Sequence, residues 1–112
     1  MADRFTSAVR SAPPNVVIDL VGQLDGGAQD ELAAAYDQTA RLGATRVVLD
    51  FAGTTYINST GIALIVQLLA RARAERREVT AYGLTDHYRQ IFEITRLVDF
   101  MTLHADEASA VA

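Results

Sequence analysis

Apolar and polar positions alternate through Val16-Val17-Ile18-Asp19-Leu20-Val21, which puts Val16, Ile18 and Leu20 on one face of a strand and Val17, Asp19 and Val21 on the other. Asp19 marks the second face as the wetter one. Phe5 to Arg10 carries a weaker alternation and runs into Ser11-Ala12-Pro13-Pro14-Asn15, where two prolines withhold ladder donors and favour a turn. The two segments therefore predict a hairpin. Gly22-Gln23-Leu24-Asp25-Gly26-Gly27 breaks the second strand, and the period then changes. Ala28, Leu32, Ala35, Tyr36, Thr39 and Leu42 recur at helical spacing, with Asp25 able to accept from free amides ahead of them and Gly43 placed to end the helix.

Arg46 to Phe51 contains the continuous apolar run Val47-Val48-Leu49, as expected of an interior strand parallel to an earlier one. A second helix is predicted from about Ser59 to Arg76, with Arg71, Arg73, Arg76 and Arg77 offsetting the negative end of its dipole. Glu78 to Gly83 reads as a strand. Thr85 or Asp86 can cap a third helix with Tyr88, Ile91, Phe92 and Thr95 on one stripe, and Phe100 to Leu103 reads as a short last strand. Ala105 to Ala112 reads as a small helix opened by Asp106 and Glu107, or as a frayed tail. The order predicts an α/β fold: one domain, residues 1–112, with a mixed sheet of four to five strands covered by helices.

Composition narrows the function more than the fold. Half of the 112 residues are apolar, enough for one ordinary core, and no uncharged apolar stretch approaches spanning length. No membrane insertion is therefore expected. The start of the chain lacks a signal-peptide pattern, so the expected location is the cytoplasm. A formal charge of -4 supplies no basic field for direct nucleic-acid binding. The absence of cysteine removes disulfides, thiolate metal sites and a cysteine nucleophile. His87 and His104 are far apart with no ligand-like spacing, neither phosphate-binding glycine motif is present, and Ser59 lies in no nucleophile elbow. The expectation is a protein that is not an enzyme, with no metal and no cofactor.

One junction carries chemistry. The segment from Leu49 to Gly61 leads from a buried strand into a long helix, and Asn58 is a good N-cap for it. Ser59 and Thr60 then fall in the first turn, where a phosphate would meet amide donors and a favourable dipole. A charge of about -1.5 to -2 there would act on whatever docks over the loop. The alternative is that Asn-Ser-Thr-Gly only caps a helix.

This loop resembles the signature of the STAS family of anti-sigma factor antagonists, in which a strand leads into Asp-Ser-Ser/Thr-Gly-Leu/Ile and the next helix. Gly22-Gln23-Leu24-Asp25 is similar to the family's Gly-x-Leu-Asp, and Arg89 to Val98 to its third-helix region, so the likeness spans nearly the whole chain. It implies a STAS-like sheet and a protein that, unphosphorylated, binds a serine-kinase anti-sigma factor and so releases a sigma factor. It implies phosphorylation at Ser59, with Thr60 the second candidate, and a phosphatase that reverses it. Asn58 departs from the pattern, standing where many phosphorylated members have Asp.

The expected partner surface is Asp25, Asn58, Ser59, Thr60 and Gly61, with Leu64 and Leu68 beside them. If Ile62, Ile65, Val66 and Leu69 form the core face of the second helix, Leu64 points roughly 150° and Leu68 about 110° from its centre. They then make an apolar docking patch, unless the helix is buried more fully. The protein is expected as a monomer or weak dimer. Two other roles fit the family resemblance: a soluble subunit of a membrane transport complex, or a subunit of a multi-copy signalling scaffold. Asp19, Asp25 and Asp50 form either a carboxylate cluster at strand ends or a solvated residue, a cap and a turn residue. Tyr88, Phe92 and Phe100 are expected in the core.

Overall fold

The computed structural model describes residues 4–112. The predicted hairpin is β1 (Thr6–Ala12) and β2 (Asn15–Leu24), antiparallel from Thr6↔Val21 to Ala12↔Asn15. After a 3-10 turn at Gly26–Ala28 come α1 (Gln29–Arg41) and β3 (Arg46–Asp50), then β4 (Thr54–Ile57), α2 (Ser59–Ala74), β5 (Glu78–Tyr82) and α3 (Asp86–Ile94). A second 3-10 turn at Leu97–Asp99 precedes β6 (Thr102–His104) and α4 (Glu107–Val111). The sheet order is β1-β2-β3-β5-β6, all parallel beyond the hairpin, and β4 pairs in parallel with the far end of β2.

Among the described residues the sheet thus has six strands, not four to five. The added strand is β4: Thr54-Thr55-Tyr56-Ile57 is too short and too exposed for its alternation to stand out, and it exists because β2 runs on past β3 and leaves an edge to pair with. The last strand begins two residues later than expected. Phe100 closes the 3-10 turn with its ring 49% exposed, so it is not a core aromatic, whereas Phe92 is fully buried against Phe51 at 5.7 Å and Tyr88 is half-buried.

The main core lies between one sheet face, carrying Val16, Ile18, Leu20, Val47, Leu49 and Ala81, and the helices α1, α2 and α3. The opposite face is drier than Asp19 implied. Val17 and Val48 are fully buried under Ala110 of α4. That helix is capped by Asp106, whose carboxylate accepts from the Ser109 amide at 2.9 Å, and its last carbonyls accept from Asn15 and Thr80 on the sheet. The segment is therefore a docked helix and not a frayed tail.

Next to that small cluster, Asp19 and Asp50 face each other in register on β2 and β3. Arg10 reaches Asp19 at 2.6 and 2.9 Å and Glu107 at 2.6 Å, and Tyr82 donates to Glu107 at 2.7 Å. The Arg10 guanidinium holds the Asp19 carboxyl below its ordinary range, while desolvation and the neighbouring Asp19 push Asp50 up. The signs oppose. Asp19 contributes stability that is present above its unfolded pKa and lost as the pH falls; Asp50 contributes stability present when protonated and lost as the pH rises through its raised value. Asp50→Asn keeps an oxygen for the Ala52 amide, which the native carboxylate accepts at 2.8 Å, and imitates the protonated carboxyl toward Asp19. Urea unfolding should show the variant about 0.5–1 kcal/mol more stable than the parent at neutral pH, with the gap closing near pH 4. A constant difference across that range would mean that the Asp50 carboxyl is not raised in the folded protein.

Candidate partner-binding site

Parallel pairing places the two predicted loops side by side. Leu24 at the end of β2 is in register with Ile57 at the end of β4, so the next residues, Asp25 and Asn58, leave the sheet together. Each starts a helical segment. The Asp25 carboxylate accepts from the Gly27 amide at 2.9 Å, and the Asn58 side-chain oxygen accepts from the Gly61 amide at 2.8 Å. Thr60 lies against Gly26, with its methyl group in van der Waals reach of a side chain placed there. The structure therefore brings Asp25, Asn58, Ser59, Thr60 and Gly61 into one loop pair.

Within this pair, Ser59 and Thr60 are exposed in the first turn of α2, and Gly61 is buried beneath them. The loop is tied to the sheet at several points. The Asn58 amide donates to the Leu24 carbonyl at 3.3 Å, and the Ile57 amide donates to the Tyr88 hydroxyl at 3.0 Å. Tyr88 was expected only as an apolar stripe residue of α3. Its support of the loop crosses 31 residues of sequence, and no local pattern announces it.

Leu64 and Leu68 do not form an exposed patch. Both are buried, and the inward face of α2 is Gly61, Leu64, Ile65, Leu68, Leu69 and Ala72, while Val66 is 46% exposed. The two leucines line the seam with α1 beside Leu32 and Tyr36. They are packing residues, and an arginine at 64 would test folding, not docking. The outward side instead carries Ser59, Ala63, Val66 and Ala70, all exposed and recurring at helical spacing. Tyr56, 47% exposed on β4, stands just ahead of the loop. Tyr56 and Ala63 are the exposed apolar residues nearest Ser59 along the chain.

The Mlab, STAS domain family profile matches residues 7–103. The chain belongs to the STAS-domain family. It is 29% identical over 90 residues to the anti-sigma-B factor antagonist of Staphylococcus aureus, a match covering 80% of this chain and 82% of that one. It is 34% identical over 83 residues to BtrV of Bordetella bronchiseptica, covering 73% of this chain and 68% of the relative. Its fold superposes on a crystal structure of an anti-sigma factor antagonist from Mycobacterium paratuberculosis with a TM-score of 0.82 at 16% identity, over 97% of this chain and 92% of the other. SpoIIAA, an anti-sigma factor antagonist solved in an unphosphorylated form, superposes with a TM-score of 0.71 at 18% identity, over 96% and 94% of the two chains. A Bacillus SpoIIAA in the phosphorylated form gives a TM-score of 0.70 at 23% identity, over 96% of each chain.

Proposed function

We propose that this domain is a cytoplasmic anti-sigma factor antagonist. It binds a serine-kinase-type anti-sigma factor through the paired loops at Asp25 and Asn58–Gly61, and phosphorylation of Ser59 switches the binding off until a phosphatase removes the phosphate. The observation that carries this reading is the placement of an exposed Ser59 in the first turn of a capped helix, beside a second loop that also opens a helical segment. A kinase can reach the hydroxyl there without unfolding anything, and the added charge falls where a partner must desolvate the surface. Relatives named as anti-sigma factor antagonists, and SpoIIAA fold neighbours solved with and without phosphate, support the same reading.

Asn58 bears on how strongly the switch works. Its oxygen supplies the cap that an aspartate would supply, so the loop geometry survives, and only the charge is missing. The direct test is incubation with the cognate kinase and ATP, with parallel binding measurements. Ser59→Ala should abolish labelling and keep binding, Ser59→Glu should weaken binding by about 100-fold or more, and Thr60→Ala should change labelling little. Labelling that persists in Ser59→Ala and vanishes in Thr60→Ala would move the switch to the second hydroxyl.

A further inference from the structure

At the end of the sheet away from Ser59, β6 begins its pairing with β5 only at Thr80↔Thr102, so the sheet edge beside Glu78 and Val79 has no strand partner. The last turn of α2 and the 3-10 turn at Leu97–Asp99 stand on either side of that gap and flank an open cleft of about 580 Å³. Its floor is apolar, formed by Leu69, Val79 and Met101. Its rim carries Arg73, Arg76 and Arg77 together with the exposed ring of Phe100.

The charges at this rim are not balanced within the fold. Glu78 is engaged by Arg46 at 2.8 Å and Asp99 by Arg96 at 3.0 Å, so the two carboxylates lining the cleft are committed to arginines outside it. Arg73 and Arg76 enter no ion pair among the described residues, and Arg77 has only Glu75 at 3.4 Å and a buried Nη1 without an acceptor. No hydrogen bond ties the Arg73 or Arg76 side chain to the last carbonyls of α2 among the described residues. The Arg71, Ala72 and Arg73 carbonyls are already taken by the amides of Glu75, Arg77 and Arg76, and Arg71 is held by Asp37 and Glu75. The guanidinium carbon of Arg73 also lies over the Phe100 ring, 5.3 Å from its centre, at the mouth of the cleft.

We infer that this cleft is a binding site for a small organic phosphate with a flat apolar body, the phosphate seated between Arg73 and Arg76 and the ring against Phe100. Guanidinium groups match phosphate geometry and stay charged at any working pH, and the apolar floor gives the body of the ligand a surface to cover. The site is separate from the Ser59 loops and does not depend on their function.

Phenyl phosphate is the probe, followed by two-dimensional NMR of the full chain. Saturable shifts centred on Arg73, Phe100 and Thr102, with inorganic phosphate binding several-fold more weakly, are the expected result. The double variant Arg73→Ala/Arg76→Ala should weaken phenyl phosphate by about tenfold or more. Phe100→Ala should bring the two probes to similar affinity while retaining phosphate binding. Circular dichroism establishes that each variant is folded, and all three side chains are exposed, so none is required for the core. No saturation up to about 10 mM, equal binding by the double variant, or shifts centred on Ser59 would each overturn the assignment.

Discussion

Gly61→Ala is expected to destabilise the domain by about 3 kcal/mol or more. A methyl group at that position would lie 1.9 Å from the Leu24 carbonyl oxygen and 2.7 Å from its carbon. These are backbone atoms at the end of a paired strand and cannot swing aside. Relief requires the first turn of α2 to lift off β2, and that motion breaks the Asn58 amide bond to the same carbonyl and strains the Asn58 cap. Local helix propensity predicts the opposite sign, since alanine favours a helix by about 1 kcal/mol over glycine. Urea denaturation therefore decides between the two. Gly26→Ala is the control from the neighbouring loop: its methyl group would meet only the Thr60 methyl at 3.4 Å, an ordinary contact. A Gly61→Ala midpoint at or above the parent's would show that α2 does not rest on β2 as described.

Phe92→Ala should cost about 3–5 kcal/mol, with the loss concentrated in α3. Phe92 is the only fully buried residue of that helix, and it packs edge-on against Phe51 under the sheet. Tyr88 and Ile91 contribute partial burial, but the remaining positions face outward. Without the ring, α3 loses its anchor and carries away the Tyr88 hydroxyl that accepts from the Ile57 amide. Native-state hydrogen exchange should show the α3 amides and Ile57 opening well before the β2 and β3 amides. Uniform acceleration across the sheet and α3 would show instead that the domain unfolds only as a whole.

These two residues also mark where the sequence was readable. The Asn58 cap and the exposed helix-start serine follow from chemistry within a few residues, so the local geometry of the candidate site was legible from its own letters. The orientation of α2 was not. That helix is apolar on most of its circumference, so Ile62, Ile65, Val66 and Leu69 made as good a stripe as Leu64, Ile65, Leu68 and Leu69. What selects between them is the close approach of Gly61 to Leu24, a contact across 37 residues. Val17 misled for a related reason: its neighbour Asp19 signalled water, while the cover came from α4 at the other end of the chain. Phe100 failed differently. Aromatic character predicted burial, and the short reach of β6 left the ring at the rim of an open cleft.

Gly61 packed directly on a strand end has a further consequence for timing. A loop that must rearrange before it can respond adds its own relaxation step, on the order of microseconds to milliseconds. Here the serine is mounted on a turn whose backbone is fastened to Leu24 and, through Ile57, to Tyr88. Under the proposed switch, a phosphate on such a mount meets the partner without a prior loop rearrangement, and the pace of the response is set by the arrival and departure of the phosphate.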